Sequence, residues 1–547
     1  MRDPRLQRWI GHSLTAAILA FTASTATLDA HYEWDQHRIL DAERDSVAAV
    51  AYVQPDRTWN GMAYDPTFFV AAVYLVPKLP QIISEIAHNP RMPLQPGMYP
   101  TLAEWQHDMF RRIGTEAHKV EVRRVHLALG LIAVLFVYLT VLRLFPGRYA
   151  PAVGSVAFLA LSWEVVMHFR WTEVDVPMTT GITLFAYLVA CGITARTREA
   201  AMLHAIGVGV AAGLVIACKV SGVWALAVGG LSVVRFPYWT RVRDRAALVL
   251  AMSFGAIATY ATLSPASFAD PIGTLTHAFH QVADYRSIPE DYPVYVAPPW
   301  GHLARICEWL FLYQPSHVPV FALALSLVAV VGLYALVRDR RRFALTAGVY
   351  PVLVLAMMTR LPLFQLRNYL HLVPFFAIGF AAGLVYLSTL LRKPWMRHAL
   401  AAAVVGIFAF NAGWLVYADH SMRTTTRDVI VAEAERYLAE TDDAQLVSPR
   451  AYRETRATLD ARFTCARPGP DETAPWVLIY YQDHHPLRWR AATPGFVERW
   501  FAPLETDFDW LTLWKGRFDH HRMALLSRES AEAMHVETHA FLLCRPR

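Results

Sequence analysis

Long apolar runs alternate with short basic links along most of this chain. The runs fall at 12–28, 125–145, 150–168, 176–195, 202–218, 220–236, 246–264, 316–337, 342–359, 367–391 and 398–417. A helix needs roughly 20 apolar residues to cross a bilayer, so the pattern predicts about eleven transmembrane helices. The 202–236 stretch also reads as one broken helix. The first run follows Met1-Arg2-Asp3-Pro4-Arg5-Leu6-Gln7-Arg8 and is short enough for a signal peptide, with Ala23-Ser24-Thr25-Ala26 as a weak cleavage site. An uncleaved anchor is the stronger reading, because the later helices must also be inserted.

Positive charge in short loops sets orientation. With the N-terminus in the cytoplasm, the basic links 143–148, 196–198, 235–245, 338–342 and 392–397 all fall on the cytoplasmic side. The opposite face then receives 29–124, the link carrying Glu173 and Asp175, 266–315, the link near Arg367 and everything after about 418.

After residue 418 the membrane pattern stops. The tail reads as a helix at 427–440 followed by short strands, among them Trp476-Val477-Leu478-Ile479-Tyr480-Tyr481. The fold class expected is therefore a polytopic α-helical membrane protein with a soluble C-terminal α+β domain on the outer, periplasmic side. Its division is a membrane domain over 1–418 and the tail domain over 419–547. Within the first, 29–124 and 266–315 form large outer loops, and the apolar segment 67–78 is too short to span and suits a helix along the membrane surface. The 266–315 loop carries His277, His280, Asp284, Tyr285, Glu290 and Asp291 among several prolines.

Composition agrees with the pattern: of 547 residues 55% are hydrophobic and only 18% charged, which excludes an ordinary soluble domain. A net charge of +6 needs no nucleic-acid partner, because arginine retained on the cytoplasmic side accounts for much of it. The alanine- and arginine-rich composition favours a bacterial inner membrane. Of five cysteines, Cys191, Cys218 and Cys307 lie in or beside apolar runs, whereas Cys465 and Cys544 fall in the tail. There a disulfide is permitted; two buried thiols are the alternative.

Candidate chemistry concentrates at two acidic-aromatic clusters, each at the end of an apolar run. One is His31-Tyr32-Glu33-Trp34-Asp35-Gln36-His37-Arg38; the other is His168-Phe169-Arg170-Trp171-Thr172-Glu173-Val174-Asp175. Charge near lipid is costly, so such residues turn toward a cavity, a partner or water. Both clusters face outward, which outlines a carboxylate-lined pocket at one membrane surface. Asp35 is the first candidate for a base, with Glu33 its rival; a salt bridge to Arg38 is the structural alternative. Asp175 and Glu173 form the second set, although an acid heading a helix also complements its dipole. Lys219 has no nearby acid in sequence and suits an anionic headgroup, or else snorkels. Arg367 breaks the positive-inside bias, as do Arg123 and Arg124, and each suits an anion or solvation by headgroups. There is no phosphate-binding loop, no GxGxxG and no paired-cysteine metal motif. His484-His485 and His520-His521 lack acids at metal spacing and read as surface histidines. Two outer carboxylate clusters could still hold a divalent cation.

These motifs in this order resemble the membrane-embedded C-type glycosyltransferases that use a polyprenyl-phosphate sugar, the dolichyl-phosphate-mannose protein mannosyltransferase-like group. The match runs over about 1–418. The acidic motif after the first helix, Tyr64-Asp65-Pro66, an arginine opening the second helix, "HFRWTEVDVPMT", "GLVIACKVSG" and "RNYLHLVPF" each resemble an element of that family. Gln36 stands where the family has a second acid, and Val220 where it has a tyrosine. The resemblance implies transfer of a hexose or pentose to a lipid, glycan or protein acceptor at the outer face. Asp35, or Glu33 in its place, would be general base; Asp175 would orient the acceptor or assist the base, with Glu173 beside it as a further catalytic candidate. Lys219, Arg367 and Arg124 would bind the donor phosphate, and His168, Arg170, Tyr64 and Tyr369 the substrates. No nucleotide cofactor is implied. A transporter or flippase for lipid-linked sugars is the rival, and it would share the outward cavity but often shows inverted repeats, absent here. A non-enzymatic scaffold presenting the tail is the third reading.

Overall fold

The computed structural model describes residues 3–26, 28, 116–170, 174–237, 241–264, 268, 270–287, 295–364 and 366–421, and five strands beyond them. All of the apolar runs read from the sequence fall on helix. In chain order these are α1 Pro4–Thr25, α2 Glu116–Leu144, α3 Tyr149–Ala160, α4 Trp163–Phe169, α5 Asp175–Ile193, α6 Arg198–Cys218, α7 Val223–Val233 and α8 Val242–Leu263. There follow α9 Pro271–Arg286, α10 Trp300–Leu312, α11 Pro319–Asp339, α12 Arg341–Ala344, α13 Val349–Met358, α14 Val373–Leu390 and α15 Pro394–Ser421.

The expected number of spans is met in part. Among the described residues eight helical stretches are long and apolar enough to cross a membrane, or nine if α3 and α4 count as one bent span. Two of the predicted runs fall short. Helix α1 has the length but carries Arg5, Arg8, His12 and several threonines, and α7 is only 11 residues long. This is still the helix inventory of a polytopic membrane protein.

Local chemistry explains where the helices start and stop. Asp3 caps α1 by accepting the Arg5 N–H at 2.8 Å, with Pro4 in the first turn. Thr197 caps α6 by accepting the Ala200 N–H at 3.1 Å. Ser162 does the same for α4, accepting from Val165, and it restarts the chain after α3 at an angle of 67°. The predicted break in 202–236 is real: α6 ends at Cys218, a 3-10 turn covers Val220–Gly222, and α7 begins at Val223.

Small residues bring helices together. A Cβ on Gly332 of α11 would lie 1.7 Å from the carbonyl oxygen of Gly379 in α14, so these backbones touch where only hydrogen fits. Gly209 of α6 is as tight: a Cβ there would run into the Met252 carbonyl oxygen of α8. Close approach through small residues is how membrane helices gain contact without a hydrophobic driving force between them. Around these contacts a continuous apolar core includes Phe158, Phe185, Tyr369 and Phe380.

Within 266–315, read from the sequence as a loop, the described residues include two helices, α9 and α10. On α10, His302, Ile306 and Trp309 are buried while Trp300 is exposed, a stripe at four- and three-residue spacing.

The chain separates into two compact units, one covering 1–28 and 35–417 and the other 29–34 and 418–547. In the second, strands β1 Leu446–Ser448, β2 Phe463–Ala466, β3 Trp476–Tyr481, β4 Arg522–Ser527 and β5 Leu542–Pro546 form one sheet in the order β2-β5-β1-β3-β4. Only β1 and β3 run parallel. In the register of β2 with β5, Cys465 stands opposite Cys544. The helix expected at 427–440 and the surface helix at 67–78 lie outside the described residues.

Candidate active site

The break after α6 creates the site. Lys219 ends that helix in an extended conformation (φ −161°, ψ 135°), and the following Gly222 packs against the Val215 carbonyl so closely that a Cβ would lie 2.6 Å from it. Lys219 thus leaves the helical path at a fixed point. Its ammonium donates to Asp175 Oδ1 at 3.0 Å and to Asn368 Oδ1 at 2.6 Å.

Each partner is the product of its own element. Asp175 is the first residue of α5, where the unpaired N–H groups of a helix start favour a carboxylate. Its backbone carbonyl accepts from the Thr179 hydroxyl at 2.6 Å. Asn368 sits on a 3-10 segment, Leu366–Leu372, that runs directly into α14. Three distant parts of the sequence therefore meet in one partly buried polar cluster. The lysine that had no acid near it in sequence has one in space.

Exposure is graded across the cluster. The side chain of Lys219 is 29% exposed and that of Asp175 only 4%. A charge so sheltered from water acts through a lower effective dielectric than a surface pair does. Arg367, next to Asn368, is half-buried on the same segment. An ammonium held by a carboxylate and an amide, open on one side, is suited to receive an anion.

The 3-10 segment is pinned from the other side by His302 of α10. His302 Nδ1 donates to the Leu361 carbonyl at 2.7 Å. In the neutral imidazole Nε2 is then left to accept from the Tyr369 hydroxyl. Burial holds His302 below the ordinary imidazole value, with the Leu361 hydrogen bond opposing in part. The Tyr369 hydroxyl, read from the sequence as a substrate contact, is engaged here in fixing the segment.

Two further polar side chains stand beside the cluster. Tyr350 of α13 and His371 of the 3-10 segment are both buried, with ring centroids 5.7 Å apart.

His168 and Arg170 lie in another buried polar layer, on and after α4. His168 Nδ1 donates to the Glu164 carbonyl at 2.6 Å. Glu164 accepts from the Trp309 indole at 3.4 Å, and the Arg170 guanidinium lies 5.0 Å from the Trp163 ring centre. Arg124 is on the exposed side of α2, while its neighbour Arg123 is buried and donates to the Leu28 carbonyl at 2.6 Å. Asp35, Glu33, Glu173 and Tyr64 lie outside the described residues, as do the Arg38 partner of Asp35 and the histidine pairs of the tail.

Sequence reasoning brought Asp175 and Lys219 forward, and the structure joins them. It passed over Asn368, Tyr350, His371 and His302. For Asn368 and His371 a signal existed: three-residue spacing places them on one line of a 3-10 helix. Tyr350 carried none, being one tyrosine within an apolar run.

No family model matches this chain, and no curated protein does. Among solved structures, ArnT from Cupriavidus metallidurans bound to undecaprenyl phosphate is similar at 14% identity, a TM-score of 0.46, 79% of this chain and 72% of that one. The same protein in its apo state is similar at 12% identity and a TM-score of 0.45, over 83% and 84% of the two chains. An archaeal oligosaccharyltransferase, AglB from Archaeoglobus fulgidus, in complex with an inhibitory peptide and a dolichol-phosphate, follows at 13% identity and a TM-score of 0.42. That match takes in 80% of this chain but spans only 58% of AglB.

Proposed function

We propose that this chain is a membrane-embedded glycosyltransferase that moves a sugar from a polyprenyl-phosphate donor to an acceptor at the outer face of a bacterial inner membrane. The observation that carries the reading is the buried Asp175–Lys219–Asn368 cluster at the break after α6. In such a transfer an acceptor hydroxyl or amine forms a bond to the anomeric carbon while the bond from that carbon to the phosphate oxygen breaks. The electron pair goes to the phosphate, which gains a second negative charge as it leaves. Lys219, preorganised by Asp175 and Asn368, meets that charge as it develops, which is where a fixed cation lowers a barrier most. Arg367 adds a second positive charge on the same segment. Asp35 takes the proton from the acceptor, and Asp175 holds the lysine. The N-terminus lies in the cytoplasm and the tail domain, which selects the acceptor, in the periplasm.

Lys219→Met keeps the length of the side chain and removes its charge. In membranes supplied with polyprenyl-phosphate hexoses and pentoses it should reduce transfer by ~10²-fold or more at matched protein level. Asp35→Asn should do the same by removing the base. Retention of wild-type rates in Lys219→Met would sink the role of the cluster. Donor binding by the wild type with movement across the membrane but no transfer would replace the enzyme with a transporter.

A further inference from the structure

Tyr350 and His371 are polar groups beside the cluster that the transfer described above leaves unused. Both are buried, at 0% and 1% exposure. Neither the Tyr350 hydroxyl nor either nitrogen of His371 has a hydrogen-bond partner among the described residues. Most buried polar groups are paired, and an orphan is costly enough to call for a reason. Here two orphans stand side by side, 5.7 Å between ring centres.

Their position is specific. His371 lies one 3-10 turn beyond Asn368, and side chains three apart eclipse on such a helix. Asn368 is already bonded to Lys219, so this edge of the segment runs from the ammonium to the imidazole. Tyr350 comes from another helix and meets it there.

We infer that Tyr350 and His371 recognise the sugar of the lipid-linked donor, through hydrogen bonds to its hydroxyl groups. The inference rests on the glycosyltransferase reading and adds to it the residues that read the sugar. An apolar prenyl tail would leave both groups as orphaned as before. A phosphate needs donors and positive charge, which Lys219 and Arg367 supply. A sugar hydroxyl both donates and accepts, and so do a phenol and a neutral imidazole. The half-open Lys219 marks the entrance, and the sheltered pair stands further from water, where losing a hydrogen bond discriminates most between sugars.

The test uses the full-length protein in detergent or nanodiscs, with Tyr350→Phe and His371→Gln. Undecaprenyl phosphate without sugar and a panel of undecaprenyl-phosphate hexoses and pentoses are titrated against each. The expected result is unchanged binding of the sugar-free lipid, with affinity for the preferred glycosylated donor reduced roughly ten-fold, and kcat/KM likewise. A donor lacking one hydroxyl should lose nothing further in one of the variants, which a merely structural effect would not produce. Tyr350→Phe removes one oxygen and keeps the ring, so it reads the contact without disturbing packing. If both variants fold and retain wild-type affinity and sugar preference, the inference is overturned while the enzyme reading stands. A wild type that binds none of these lipids overturns both.

Discussion

At the scale of single residues, the site is governed by the cost of burying charge. Asp175 and Lys219 compensate each other, and removing either leaves the other facing a desolvation cost that its partner had offset. Lys219 nevertheless keeps one side toward water, so the pair is a held cation and not a sealed salt bridge. His302 shows the opposite tactic, since it is kept neutral. Its folded-state value is lowered by burial, whereas in the unfolded chain it titrates near 6.5. The unfolded state therefore binds the proton first on acidification. The contribution of His302 is complete above about pH 6.5 and is lost as pH falls toward the lowered folded value. Thermal unfolding followed between about pH 8 and pH 5 should show stability falling by up to ~1.4 kcal/mol per pH unit below 6.5 from this group. His302→Gln should flatten that part of the curve; an unchanged slope would mean that another group titrates.

At the scale of elements, the breaks matter more than the helices. The interruption after Cys218 frees Lys219 from the helical path, and the 3-10 segment 366–372 brings Asn368 to it. Both interruptions need rigid helices around them to hold their geometry. The crossing of α11 and α14 supplies one support, because Gly332 and Gly379 let the two backbones touch, and α14 continues the segment that carries Asn368. Gly332→Val should push these helices apart, destabilising the protein by about 1–3 kcal/mol, the usual range for overpacking. It should also depress the activity more than Gly406→Val in α15, where nothing lies within 4 Å of an added Cβ. Equal melting temperatures of these two variants would show that the crossing tolerates the extra volume.

At the scale of the whole molecule, orientation is the property on which the chemistry depends. Cys307 of α10 offers a native reporter, being exposed where Cys191 and Cys218 are buried. With Cys465→Ser and Cys544→Ser introduced, a membrane-impermeant maleimide should label Cys307 in intact cells whose outer membrane has been opened. Labelling only after the inner membrane is disrupted would reverse the topology and move the site to the cytoplasm. In the tail, the register that sets Cys465 opposite Cys544 is of the kind that brings Cα atoms within disulfide range.

The amino-acid sequence by itself determined where most of the long apolar helices lie. Hydrophobicity, capping residues and breakers act within a few residues, so the apolar runs, the interruption near Lys219 and the acid that opens α5 were legible. Its count of spans is met in part among the described residues, because length and apolarity weaken through α1 and α7 while a helix persists. Tertiary structure alone decided which polar residues meet. Lys219 finds Asp175 across 44 residues and Asn368 across 149, and Tyr369 finds His302 across 67. No local periodicity encodes such distances. They follow from how the helices pack in three dimensions, where a buried charge must find its partner or the packing fails.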